Sequence, residues 1–335
     1  MRSQSSDRVF QQEGQAIAGK AVPSLQERAQ SALTARLAEI IAAPTEDLGR
    51  PGFDPRGYLV DAVTGEVPYA ATDIRRLARF GTVGTVSGPE LTRGLAQVAG
   101  GTSNELAASA AKRPKFLTAY SASALTVNVF APFLDGRALV LEGQALQKAK
   151  LGSTLHTGGK CGRPNFDLLS RNDNAVVAVD VNCTEQLKAK TRTGATDFAT
   201  LRQRPEGDPY AVRTRTLAGG PGAIELYEVL AADPCAFRYV DATKLLKQYL
   251  SLRNTHGTNA CTLVYLCWQP ENAADFDICA AHAKEAERVA GYLTDRAVTF
   301  RSVSTTALWE AWLADENPFL VRHAAALQRR YAVSV

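Results

Sequence analysis

The chain has 335 residues, of which 45% are hydrophobic and 21% charged, with a formal net charge of +4 at neutral pH. That is ordinary globular composition, long enough for one large α/β domain or two modest ones. No window approaches ~18 uninterrupted apolar residues and the first twenty lack the apolar run of a secretory signal, so no membrane partner is expected and the cytoplasm is the expected location.

In chain order, the first periodic segment is Leu25 to Ala43. Its apolar residues Leu25, Ala29, Leu33, Leu37 and Ile40 recur at helical spacing until Pro44 stops it. Shorter helical patterns follow at Thr72 to Phe80, Gly88 to Val98 and Glu105 to Lys112, separated by Gly and Pro clusters. The region 1–112 therefore reads as mostly helical, and no motif in it carries evident chemistry. An apolar helix is predicted over Phe116 to Phe133, and a strand over Arg137 to Gly143. Two further strands, "PNFDLLS" and "NAVVAVDVNC", follow closely, with the turn-forming residues Ser170 to Asp173 between them. These two strands should form a hairpin in which Asp167 and Asp180 either approach each other at the sheet's edge or split. Because side chains alternate along a strand, Asp180 and Asn182 share one face.

Between Gln186 and Gly222 the chain carries Lys188, Lys190, Arg192, Arg202, Arg204, Arg213 and Arg215 against Asp197, Glu206 and Asp208, a local net charge of +4. Rich also in Thr, Gly and Pro, it reads as a long exposed connection, either a solvated loop or one that meets phosphates. A strand or short helix at Ala223 to Leu230 and a helix over Ala242 to Arg253 follow. "CTLVYLCW", Cys261 to Trp268, is a buried strand. A helix over Ile278 to Leu293, a strand "AVTFRSV" and a helix "TTALWEAWLA" complete the pattern. This order implies a mixed sheet with helices on both faces.

Other candidate motifs carry less. Cys161, Cys183, Cys235, Cys261, Cys267 and Cys279 lack CxxC spacing and read as reduced, structural residues. Cys279 and His282 stand three apart without a second ligand pair, and the four histidines are isolated, which argues against a zinc site. "GGPG" at Gly219 to Gly222 lacks the Lys-Ser/Thr of a phosphate loop and reads as a hinge or turn. Trp268, Trp309 and Trp312 are expected in the core or at an interface.

"GRPNFD" and "VAVDVNCTE", with "SASALTVNVFAPFL" (Ser121 to Leu134) before them and "LLKQYLSLRNTHGTNACTLVYLCWQP" (Leu245 to Pro270) after, resemble the PD-(D/E)XK nuclease superfamily, and in particular a group of bacterial restriction-endonuclease-like proteins. The resemblance spans roughly Phe116 to Leu313. It implies a restriction-endonuclease-like α/β domain over 113–335, with a three-layer α/β/α core and a mixed central sheet, following the helical region 1–112. It also implies a Mg²⁺- or Mn²⁺-dependent endonuclease acting on DNA in restriction or defence, in which a homodimer is common.

Carried over by position, Asp167 and Asp180 match the two metal-binding acids, with Asp180 standing where Glu is more usual, and Glu142 matches an additional acid. Asn182 stands where the family has its Lys. An amide can position a water but supplies no charge, so an ammonium would have to arrive from elsewhere, with Lys160, Lys188 and Lys190 as candidates. Otherwise the chain would be a catalytically impaired relative that binds DNA or a protein partner. Lys160, Arg163, Lys188, Lys190 and Arg192 are the expected nucleic-acid contacts. Lys244 and Gln248, on one face of the helix after the basic segment, either line the site or belong to a solvated helix face.

Overall fold

The computed structural model describes residues 22–42, 51–61, 71–100, 105–107, 113–158, 161–190, 208–257 and 259–335. It is a mixed α/β fold. Helix α1 (Leu25–Ile41) begins at a capping box, in which the Ser24 hydroxyl accepts the Glu27 N–H and the Glu27 carboxylate accepts the Ser24 N–H. A short hairpin, β1 (Pro51–Phe53) with β2 (Leu59–Asp61), precedes α2 (Ala71–Ala78) and α3 (Gly88–Gly100).

The helix expected over Phe116 to Phe133 is broken. A 3₁₀ turn at Lys115–Leu117 leads to Ser121, which caps α4 (Ala122–Phe130), and a second 3₁₀ turn at Ala131–Phe133 contains Pro132. Proline removes a helical hydrogen bond, and the Ser121 hydroxyl accepting the Ala124 N–H starts the helix afresh. Of the helix expected at Glu105 to Lys112, residues 105–107 form a turn and 108–112 lie outside the described residues.

The strand predicted from Arg137 shrinks to β3 (Leu139–Leu141), which pairs with β4 (Gln144–Leu146) as a separate hairpin. Glu142 and Gly143 turn it, both at positive φ (50° and 71°), as a two-residue I′ turn requires. The central sheet instead begins at β5 (Lys150–Thr154), too short and too polar to stand out in the sequence. It continues with β6 (Asn165–Arg171), β7 (Ala175–Asn182), β8 (Ala260–Cys267) and β9 (Val298–Ser304), in that spatial order. β5, β6 and β7 are antiparallel neighbours, whereas β7, β8 and β9 run parallel.

Helices α5 (Pro209–Leu217), α6 (Pro221–Ala232) and α7 (Ala242–His256) lie between β7 and β8 in the chain. α8 (Asp277–Leu293) connects β8 to β9, and α9 (Thr305–Leu313) and α10 (Pro318–Tyr331) close it. The segment at Ala223 to Leu230 is thus helical: Pro221 occupies the first turn and Ala223, Leu226, Tyr227, Leu230 and Ala231 bury one face.

Alternate residues of β7 feed two different cores. Val177, Val179 and Val181 join Val264 and Leu266 in a cluster with residues of α1, α3, α4, α9 and α10. Ala178 joins Leu263, Tyr265 and Cys267 in a second cluster with residues of α5, α6, α7 and α8. Leu25, Ala29, Leu33 and Leu37 of α1 share the first cluster with Trp268, Trp309 and Trp312, so residues before and after 113 pack in one core.

Asn128 ties this core together. It is buried on α4, accepts the Val83 N–H at 2.8 Å, and donates to the Gly81 carbonyl at 3.0 Å and the Tyr331 hydroxyl at 2.8 Å. Asn128→Leu keeps the volume but strands these partners, and should cost about 3 kcal/mol of unfolding free energy in denaturant melts. A loss below about 1 kcal/mol would show that water replaces the network.

Candidate functional site

The site lies where β6 and β7 part. The hairpin turn between them is set by Asn172, whose side-chain carbonyl accepts the N–H groups of Asn174 and Ala175 at 2.9 and 2.8 Å. The ladder runs from Arg171↔Val176 to Leu168↔Val179 and stops, although both strands continue. One step beyond it, the Asp167 carboxylate accepts the Val181 N–H at 2.8 Å, taking the place of a backbone acceptor. On its other side β7 stays paired with β8 as far as Asn182↔Cys267.

Asp180 is 1% exposed, so its charge requires partners. Asn182 Nδ2 donates to Oδ2 at 3.1 Å, Gln248 Nε2 donates to Oδ1 at 3.0 Å, and the Lys244 ammonium contacts Oδ1. Lys244 and Gln248 are four residues apart on α7, so both reach the sheet from one helical face. Their position is fixed at the helix start, where the Asp241 carboxylate accepts the Lys244 N–H at 2.9 Å and pairs with the Lys190 ammonium at 3.1 Å. The Lys244 side chain remains 39% exposed, so this cation borders solvent as well as the buried acid.

Burial pushes the Asp167 carboxyl up to about 7. The nearby Asp180 and Glu185 charges add to this, while the Lys244 ammonium and the Val181 N–H oppose it. For Lys244, desolvation is outweighed by Asp180, Asp167 and Asp241, which hold the ammonium above the ordinary lysine range. Deeper behind Asp180, the Tyr265 hydroxyl and the His282 Nε2 are 3.1 Å apart, with the Cys267 sulfur 3.8 Å from the same nitrogen. Burial lowers His282 to about 4 and keeps Cys267 well above the usual thiol range.

The sequence-derived residues separate clearly. Asp167, Asp180, Asn182, Lys244 and Gln248 come together. Glu142 does not join these contacts: at its hairpin turn it pairs with Arg301 of β9 at 3.4 Å, two strands along the sheet from β7. Because β3 and β4 pair with each other, the acid ends a hairpin and not a strand of the sheet. Lys190 is engaged with Asp241 and Lys188 is exposed, so neither is the cation on Asp180. Arg163 is exposed just before β6, while Lys160 and Arg192 lie outside the described residues. Residues missed in the sequence are Asp241, Asn165 and Glu185. Glu185 sits in a 3₁₀ turn just after β7, and its carboxylate accepts the N–H groups of Cys183 and Thr184 at 2.7 and 3.0 Å. The signal for Asp241 was an acid immediately before a helical pattern.

Among the described residues no group of three or more His, Cys, Asp or Glu is gathered as a ready ligand set. The donors at the parting strands are nonetheless all oxygens: the two carboxylates, together with Gln248 Oε1 and Asn165 Oδ1, both buried without hydrogen-bond partners. Such a set fits a hard divalent cation of the Mg²⁺ type, which is held by one or two carboxylates and completes its shell with water and phosphate.

No protein-family model, no curated protein and no solved structure matches this chain.

The raised Asp167 carboxyl has a thermodynamic consequence. The folded chain keeps a proton that the unfolded chain releases near pH ~4, so the stability linked to this group is full below ~4 and is lost as pH rises through about 7. In metal-free buffer Asp167→Asn should therefore be more stable than the parent at pH 8, by on the order of 2 kcal/mol after allowing for solvent near a partly buried group, and equal to it near pH ~4. Thermal melts across that range check this; a difference that does not vary with pH would contradict it.

Proposed function

We propose that the chain is a metal-dependent endonuclease of the PD-(D/E)XK superfamily, hydrolysing DNA phosphodiester bonds in a bacterial restriction or defence setting. In this reading the cationic role has moved from strand β7 to helix α7. The observation that carries the proposal is the Lys244 ammonium on the buried Asp180, beside the point where Asp167 and the parted strands open the sheet. The mixed sheet with helices against both faces supports reading the core as restriction-endonuclease-like.

The chemistry follows from charge. Asp167 and Asp180 would hold a Mg²⁺ or Mn²⁺ ion, which would supply Lewis-acid stabilisation to a phosphate and a nucleophile at neutral pH. Lys244 adds a fixed positive charge at the solvent border of the same acid, where a phosphate approaches, and a preorganised charge needs no reorientation during reaction. Asn182 retains only the hydrogen-bonding part of the lysine role, holding Asp180 in place. What the reaction needs is an ammonium at a point in space, and a lysine on α7 meets that need as well as one on β7.

Plasmid cleavage with Mg²⁺ or Mn²⁺ tests this directly. Asp180→Ala should abolish cutting, and Lys244→Met should slow it by roughly a hundredfold, about 3 kcal/mol of transition-state stabilisation. Asn182→Lys should bring no gain, because Lys244 already occupies the role. A parent chain that binds DNA and cation yet leaves plasmid intact would instead be the impaired relative.

Binding should also depend on salt. Lys188→Ala and Arg163→Ala should each flatten the slope of log K against log salt by ~0.9, whereas Lys190→Ala should change it less because Asp241 already engages that ammonium. Fluorescence anisotropy of a labelled duplex across a salt series reads these slopes, and slopes unchanged from the parent's in Lys188→Ala and Arg163→Ala would remove these residues from the interface.

A further inference from the structure

The side chain of Gln248 is fully buried, yet it lies at the mouth of the parted strands. Its Nε2 donates to the Asn165 backbone carbonyl on β6 at 2.7 Å and to Asp180 Oδ1 on β7 at 3.0 Å. Between these points the β6–β7 ladder is absent: the last registered pair is Leu168↔Val179. One amide from α7 therefore replaces the missing backbone bonds and joins the two strands that carry the two acids. With both its N–H groups engaged, its Oε1 is left buried and unpaired, as is Oδ1 of the neighbouring Asn165. A buried acceptor without a partner is costly, and it persists where something else completes it.

We infer that Gln248 is the positioning residue of this site, setting the separation of the Asp167 and Asp180 carboxylates so that one divalent cation spans them. The inference rests on the nuclease reading, because it assigns Gln248 a role toward the cation of that site. A lone buried glutamine with a purely structural role would need its donors satisfied anywhere in the core. This one is placed on the acid itself and on the opposing strand, and outer partners of this kind govern metal affinity by holding the ligands still.

The test is Mn²⁺ binding, followed by electron paramagnetic resonance and calorimetry on the full chain at neutral pH, with cleavage measured in parallel. Gln248→Met keeps the length and removes the bridge. It should weaken Mn²⁺ binding by roughly 10- to 100-fold, with KM for DNA unchanged within about twofold and kcat recovered as Mn²⁺ is raised. Gln248→Asn keeps the amide but is too short to span both strands. It should also weaken Mn²⁺ binding at neutral pH, and it serves if the methionine variant does not fold, as judged by circular dichroism. A folded variant that binds Mn²⁺ as tightly as the parent and cuts with an unchanged Mn²⁺ midpoint overturns the inference and leaves the nuclease reading standing. If the parent binds no Mn²⁺, or binds it equally after Asp180→Ala, the nuclease reading itself fails and the inference with it.

Discussion

Everything around the candidate site depends on one buried negative charge. Asp180 sits on a strand paired over its length with β8 and is almost wholly removed from water. A carboxylate there is tolerable only if donors replace its hydration, and the desolvation of an unpaired ion amounts to several kcal/mol. β7 supplies one donor, Asn182; the others, Lys244 and Gln248, come from α7. The helix must therefore dock with one face and one register, and Asp241 at its start anchors that register through the Lys244 N–H and Lys190.

The same constraint explains why the hairpin opens. Were β6 and β7 paired to their ends, Asp167 would lie directly opposite Asp180, and two carboxylates facing each other across a non-polar sheet would repel. Ending the ladder at Leu168↔Val179 lets Asp167 turn its carboxylate to the Val181 N–H, so that the open end is satisfied by a side chain. Gln248 then holds the gap at a defined width.

Around this centre, the helices that precede residue 113 are structurally continuous with the sheet. α1 buries its apolar stripe in the first core, and from its other side Gln26 and Gln30 donate to the carbonyl and hydroxyl of Thr184 at 3.2 and 3.3 Å. Thr184 lies in the turn that carries Glu185, directly after β7. The N-terminal helix thus braces the end of the strand that bears Asp180, and Asn128 on α4 ties Val83 and Tyr331 into the same core.

The sequence by itself determined those features that depend on local periodicity. "NAVVAVDVNC" could only be a buried strand, its alternation put Asp180 and Asn182 on one face, the turn residues after Ser170 made the hairpin, and Lys244 and Gln248 fell on one face of a helix. Other features depended on which element packs on which, and only the tertiary structure decided them. Glu142 was legible as an acid after an apolar strand, but not that this strand pairs with its own hairpin and leaves the acid to Arg301. β5, short and polar, had no pattern strong enough to be read, and became the edge of the sheet through its pairing with β6. The identity of the cation on Asp180 was hidden for the same reason. Lys188 and Lys190 are nearer in sequence, but the first turn of α7, 64 positions along the chain from Asp180, puts Lys244 there, because a buried charge selects its partner by distance in space.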